Sequence, residues 1–135
     1  MDFYLQQHNC TQRLIDEWEK YHGLIIALDF DNTIYDYHSD GQTFDQIISL
    51  IKECKKYGCK VVIFAAREEE DYDFIRNHCK SIGIDIDGIN ENMPYLPYKT
   101  RKIYYNVLLD DRAGLPSTFE SLSVALYYIK EKIRK

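Results

Sequence analysis

Residues 26–35 read IALDFDNTIY, and this stretch decides the fold. The apolar run from Leu24 to Phe30 has the composition of a buried strand, and two carboxylates, Asp29 and Asp31, stand where it ends. Further along, Phe44, Ile47, Ile48, Ile51 and Cys54 recur at helical spacing, and Val61 to Phe64 forms a second apolar strand. A strand, a helix and a strand in that order predict a βαβ crossover. A polar helix follows from about Glu68 to Ser81 with Tyr72, Ile75 and Cys79 inward, and IGIDIDGIN supplies a short extended segment. Ile103 to Leu109 reads as the next strand, and it too ends in acids, Asp110 and Asp111.

At the edges of the chain, Leu14, Ile15 and Trp18 mark a helix before the first strand, read as a packing element. Ser117 and Glu120 have capping-box spacing ahead of Leu122, Ala125, Leu126 and Ile129, and the basic end IKEKIRK suits the negative pole of a closing helix. The expectation is one α/β domain over 1–135: a helical extension (1–22), a motif-bearing core (23–116) and a closing helix (117–135). Strands joined by helical crossovers predict a mostly parallel sheet in a three-layer α/β/α arrangement, helices on both faces. Ligands of such sheets sit at the carboxyl ends of the strands.

Composition narrows the function. The chain has 135 residues with 22 acidic against 17 basic side chains, a formal net charge of −5, which leaves no broad basic field for nucleic-acid backbone. Its longest apolar run, Leu24 to Leu28, is far short of the ~20 residues that span a bilayer, and MDFYLQQHNC lacks the basic-then-apolar plan of a signal peptide. Cys10, Cys54, Cys59 and Cys79 form no CxxC pair, so they read as reduced thiols of a cytoplasmic protein. Small ligands fit this balance better than polymers or membranes.

The chemistry follows from four acids converging on one rim. A lone Asp at a strand end is commonly a turn or cap, but two pairs after two strands raise one another's proton affinity and call for a cation. Carboxylate oxygens suit Mg²⁺, which binds through one or two carboxylates together with waters and a substrate phosphate. A phosphoryl site is the inference, and small phosphorylated substrates are its first candidates.

IALDFDNTIY resembles the DxDxT signature of the haloacid dehalogenase superfamily, and VLLDD resembles its terminal acidic motif. The resemblance runs through VVIFAAREE, IDGINEN and TRKIYYNVLLDDRAG, from about Gly23 to Pro116, and is nearest to small capless phosphatase-like members from bacteria and phages. It implies a Mg²⁺-dependent phosphomonoester hydrolase in which Asp29 attacks phosphorus and Asp31 serves as general acid and base. Asp29, the backbone carbonyl of Asp31, and Asp110 would be metal ligands, with Asp111 ligating or holding a metal-bound water. Thr33, third in the signature, steadies the loop or is an ordinary cap. Lys102, or Lys99 in reserve, would be the cationic side chain, while Arg101 faces solvent. Arg67 either contacts a phosphate oxygen or pairs with Glu68 to Glu70. Asn90 and Asn92 match a substrate-side loop or serve turn chemistry.

One departure stands out. The family's second motif carries Ser or Thr where this chain has Ala65, so one donor to the phosphoryl group is missing and the backbone amide of Ala66 is left to contribute. This keeps open a second class of reading, a phosphate-ligand or protein-binding module on a catalytic fold. A receiver-like phosphoacceptor is disfavoured, because Ala65 and Ala66 stand where its acceptor Asp would end the middle strand. The segment Tyr35 to Thr43 is too short for a cap domain, so the site is expected to be open. It would accept sugar phosphates, nucleotides or, less favourably, nucleic-acid ends. Tyr35, Tyr37, Tyr95 and Tyr98 fall in expected loops as candidates for stacking or packing.

Overall fold

The computed structural model describes residues 2–97 and 99–134; Tyr98, one of the loop tyrosines, lies outside the described residues. The order is α1 (Gln7–Tyr21), β1 (Ile25–Asp29), α2 (Asp45–Lys56), β2 (Lys60–Phe64), α3 (Tyr72–Ser81), β3 (Gly88–Ile89), β4 (Val107–Leu109) and α4 (Leu115–Arg134). The strands form one sheet in the order β3-β2-β1-β4, with every pairing parallel. β1 is therefore central, and its register sets Asp29 beside Phe64 and Leu28 beside Leu109.

Side chains alternate across the sheet. Ile26, Leu28, Val61, Ile63, Val107 and Leu109 point to one face, where they join the buried residues of all four helices in a single core. Trp18 of α1 is fully covered there, and its indole N–H donates to the Tyr57 carbonyl just past α2 at 2.9 Å. Burying a side chain of this size contributes roughly 2–3 kcal/mol, which makes α1 an integral part of the core.

The other face is covered differently from the helix layer expected of it. Ile25 and Val62 pack against Met93, Leu96, Tyr104 and Tyr105 of the segment between β3 and β4, whose described residues form no helix. Connectivity explains this. The steps β1 to β2 and β2 to β3 run in one direction, so right-handed crossovers put α2 and α3 on the same face. The return to β4 reverses direction and must pass over the opposite face. Pro94 and Pro97 in that return segment, together with its lack of helical periodicity, leave it irregular.

Several boundaries also shift. The last strand is only Val107–Leu109; just before it Asn106 donates its backbone N–H to the Ile25 carbonyl at 2.9 Å, its Oδ1 accepts the Ile25 N–H at 2.6 Å and its Nδ2 donates to Glu17 at 3.0 Å. The polar helix begins as a 3₁₀ turn, Glu69–Asp71, before α3 proper. α4 starts at Leu115, with Pro116 in its first turn, so Ser117 lies inside the helix instead of capping it. At the end of the sheet opposite the acids, a Cβ on Gly23 would stand 2.2 Å from the Gly58 carbonyl oxygen, so only glycine allows these two backbones to cross. Among the described residues no helix is long and apolar enough to cross a membrane, and all four cysteines are unpaired.

Candidate active site

The acids occupy one end of the sheet because all four strands point the same way. After Asp29 the chain makes a tight turn: the Phe30 carbonyl accepts the N–H groups of Ile34 and Tyr35, both at 3.1 Å, and Asn32 adopts the left-handed conformation with φ 62°. Asn tolerates that conformation better than most residues. The turn buries Thr33 completely beside the strand end. Its hydroxyl donates to Asp29 Oδ2 at 2.9 Å and accepts the backbone N–H of Asp111 at 3.1 Å. Thr33 thus ties the loop after β1 to the loop after β4.

That tie draws three carboxylates together. One oxygen from each of Asp29, Asp110 and Asp111 lies within 4.8 Å of the other two. Burial, a hydrogen bond shared with Asp111 and the charges of Asp110 and Asp111 push the Asp29 carboxyl up to about 7, with Thr33 pulling the other way. Three hard oxygen donors at this spacing, one holding a proton near neutrality for want of positive charge, are a fit donor set for a divalent cation.

The Asp31 carboxylate stands apart from this group. It accepts two hydrogen bonds from Arg67, from Nε at 3.1 Å and from Nη2 at 2.8 Å. Arg67 therefore pairs with Asp31 and not with Glu68 to Glu70. Its guanidinium also lies over the rings of Phe30, Tyr35 and Phe74 at 5.3, 5.7 and 5.4 Å. Phe30 and Tyr35 are themselves stacked, so Tyr35 serves packing in this cradle.

The loop after β2 is held by Asn90. Its Oδ1 accepts the Ala65 N–H at 2.9 Å, and its Nδ2 donates to the Ala65 carbonyl at 2.8 Å and to the Tyr72 hydroxyl at 3.0 Å. Of the two roles open to it, substrate contact or turn chemistry, Asn90 takes a backbone one: it is a clamp on the strand-end loop beside it, with φ 51° at Asn90. Ala66, next along, lines the cavity, and its amide engages no acceptor among the described residues.

Other expectations move further. Asn92 does not line the cavity: it accepts the Tyr104 N–H at 2.8 Å and braces the base of the return segment. Lys99 and Lys102 are exposed, and neither reaches the cavity, whose wall includes Ile103 instead. The segment that carries them is committed to covering the far face of the sheet, which pulls its lysines off the rim. The cations in the cavity wall are Arg67 and Arg112. Arg112 was not singled out from the sequence; its position directly after the second acid pair, like that of Arg67 after Ala65 and Ala66, was the available signal.

The ends of all four strands enclose a cavity of about 1000 Å³. Tyr37 lines its mouth, while Tyr95 borders a separate pocket at the opposite end of the sheet. Asp36 closes the loop after β1 by accepting the N–H groups of Gly41 and Gln42 at 2.7 and 3.2 Å, and among the described residues this loop forms no separate layer.

Fold and site together define a parallel α/β protein with an acidic, cation-competent cavity at its strand ends. Compared with models of known protein families and with curated proteins, the chain has no match. Among solved structures it is similar to one described as that of a conserved protein coded by a locus from Bacteroides thetaiotaomicron, at 23% identity and a TM-score of 0.61. That similarity covers 82% of this chain and 92% of the other and shows a shared fold alone.

Proposed function

We propose that this protein is a metal-dependent phosphomonoester hydrolase, a capless member of the haloacid dehalogenase superfamily with a Rossmann-like core whose second helical layer is replaced by the return segment. The observation that carries the reading is the Thr33 bridge. It holds the Asp29 carboxylate and the Asp111 backbone in one hydrogen-bonded unit at the strand ends, as the DxDxT and DD motifs require. Asp29 attacks phosphorus, the P–O bond to the leaving group breaks, and Asp31 gives its proton to the departing alkoxide. Water then attacks the aspartyl-phosphate, Asp31 takes the water's proton, and inorganic phosphate leaves as Asp29 is restored. When bound by Asp29, Asp110 and the Asp31 carbonyl, with Asp111 beside them, Mg²⁺ supplies the charge that offsets repulsion between the acids and an anionic ester.

Carboxylates outnumber the two guanidinium groups in the cavity wall, which favours a small phosphorylated metabolite or nucleotide over a polyanionic nucleic-acid end. Lys102 has no part in this reading, since it stands outside the cavity. Four unpaired thiols suit a reducing cytoplasm. A second reading, a binding module with little turnover, is favoured by one observation, the methyl group of Ala65 where a hydroxyl is expected.

The test is phosphate release from a panel of phosphomonoesters, with and without Mg²⁺, by the wild type and Asp29→Asn. Metal-dependent release lost in Asp29→Asn supports the hydrolase. A folded protein that binds Mg²⁺ and releases nothing moves the binding module to first place.

A further inference from the structure

Arg67 is joined to Asp31 in a manner that the hydrolase reading leaves unexplained. Both oxygens of Asp31 accept from the guanidinium in a two-point pair. The general acid of the proposed reaction is thus engaged by a neighbouring side chain. A guanidinium has five N–H donors, and Asp31 takes two. The other three have no acceptor among the described residues, although Arg67 lines the cavity and only about a sixth of its side chain is exposed, 17%. The three rings around it attract the cation through their faces without fixing its in-plane direction. The group is held in place by its cradle and is free to exchange one anionic partner for another.

We propose that Arg67 is a substrate-displaced latch on Asp31, an inference that rests on the hydrolase reading for the role of Asp31. In the free protein Arg67 holds Asp31. An incoming phosphoryl group, with more negative charge and three oxygens in a geometry the guanidinium fork matches, draws Arg67 onto itself. Asp31 is then released only when the site is filled, and it takes a proton from solvent water that it passes to the departing oxygen. Arg67 also supplies donors on the side where Ala65 has lost one.

The experiment follows the Asp31 carboxyl carbon and the Arg67 guanidinium nitrogens of the full chain by NMR during titration with inorganic phosphate at constant Mg²⁺, alongside steady-state kinetics of Arg67→Lys. The latch requires both sets of signals to move along one saturable curve. In Arg67→Lys, which keeps the charge and lacks the fork, phosphate affinity falls about tenfold or more and the kinetic loss falls mainly on KM. Phosphate that binds without moving these signals, phosphate that does not bind, or a loss confined to kcat overturns the latch. If the signals move but the wild type releases no phosphate from any ester, the hydrolase reading fails and the anion-driven release of Asp31 stands. If turnover is present and the signals are still, the reverse holds.

Discussion

Replacing Asp29 by Asn should stabilise the metal-free protein at alkaline pH, although it removes the proposed nucleophile. The Asp29 carboxyl is raised from 3.8 to about 7 by burial, the Asp111 hydrogen bond and the neighbouring charges. Between those values the folded protein holds a proton that the unfolded chain has released, so stability is full below the ordinary carboxylate range and falls as pH rises toward neutrality. At about 1.4 kcal/mol for each tenfold change in proton affinity, ionising Asp29 within the fold costs at most about 4 kcal/mol by pH 8. Solvent screening of this half-buried group reduces that to about 2 kcal/mol. Asn has the same shape, accepts the Thr33 hydroxyl through its carbonyl oxygen and carries no charge. In thermal unfolding with a chelator at pH 8, Asp29→Asn should therefore melt roughly 6 °C above the wild type, and at pH 4 the two should nearly coincide. Adding Mg²⁺ at pH 8 should raise the wild type and close the gap, because the cation binds only the assembled carboxylates. A variant that melts no higher than the wild type at pH 8, or gains equally at both pH values, would refute the electrostatic account of this site.

Under the proposed hydrolase reading, Ala65→Ser introduces a hydroxyl just past β2 and should raise kcat/KM at least about tenfold on whichever phosphomonoester the panel identifies; an unchanged value would mean that this position does not face the reacting group. Asn90→Ala removes both hydrogen bonds to Ala65 and places a Cβ-bearing residue with no local partner at positive φ, so it should cost about 2–3 kcal/mol in urea denaturation. Asn90→Gly should regain the backbone part of that loss and none of the rest.

Much of the site was legible because it is written next to its own scaffold. Asp29 ends β1 with Asp31 just past it, and Asp110 and Asp111 follow β4, so finding two strands and their direction is enough to predict that the acids meet. The helices α1, α2 and α3 were visible from apolar spacing, since each buries a stripe that local periodicity encodes. Asn90 was harder to read. Its residue type was noticed, but its choice between substrate and backbone depends on β3 pairing beside β2, a contact between positions 25 residues apart.

The sequence by itself determined an α/β protein with parallel strands and an acidic rim, because strand and helix periodicities and the residues at strand ends are local properties of the chain. Tertiary structure alone decided that the helices gather on one face, that Lys102 leaves the rim and that Arg67 closes on Asp31. The first two follow from reversal of the chain's direction between β3 and β4, which sends the lysine-bearing segment across the far face. The third follows from β1 and β2 lying side by side, which brings residues 31 and 67 together across 36 positions of sequence and gives Asp31 its partner. No spacing rule carries that information, because a side chain's electrostatic partner is set by which strand ends become neighbours.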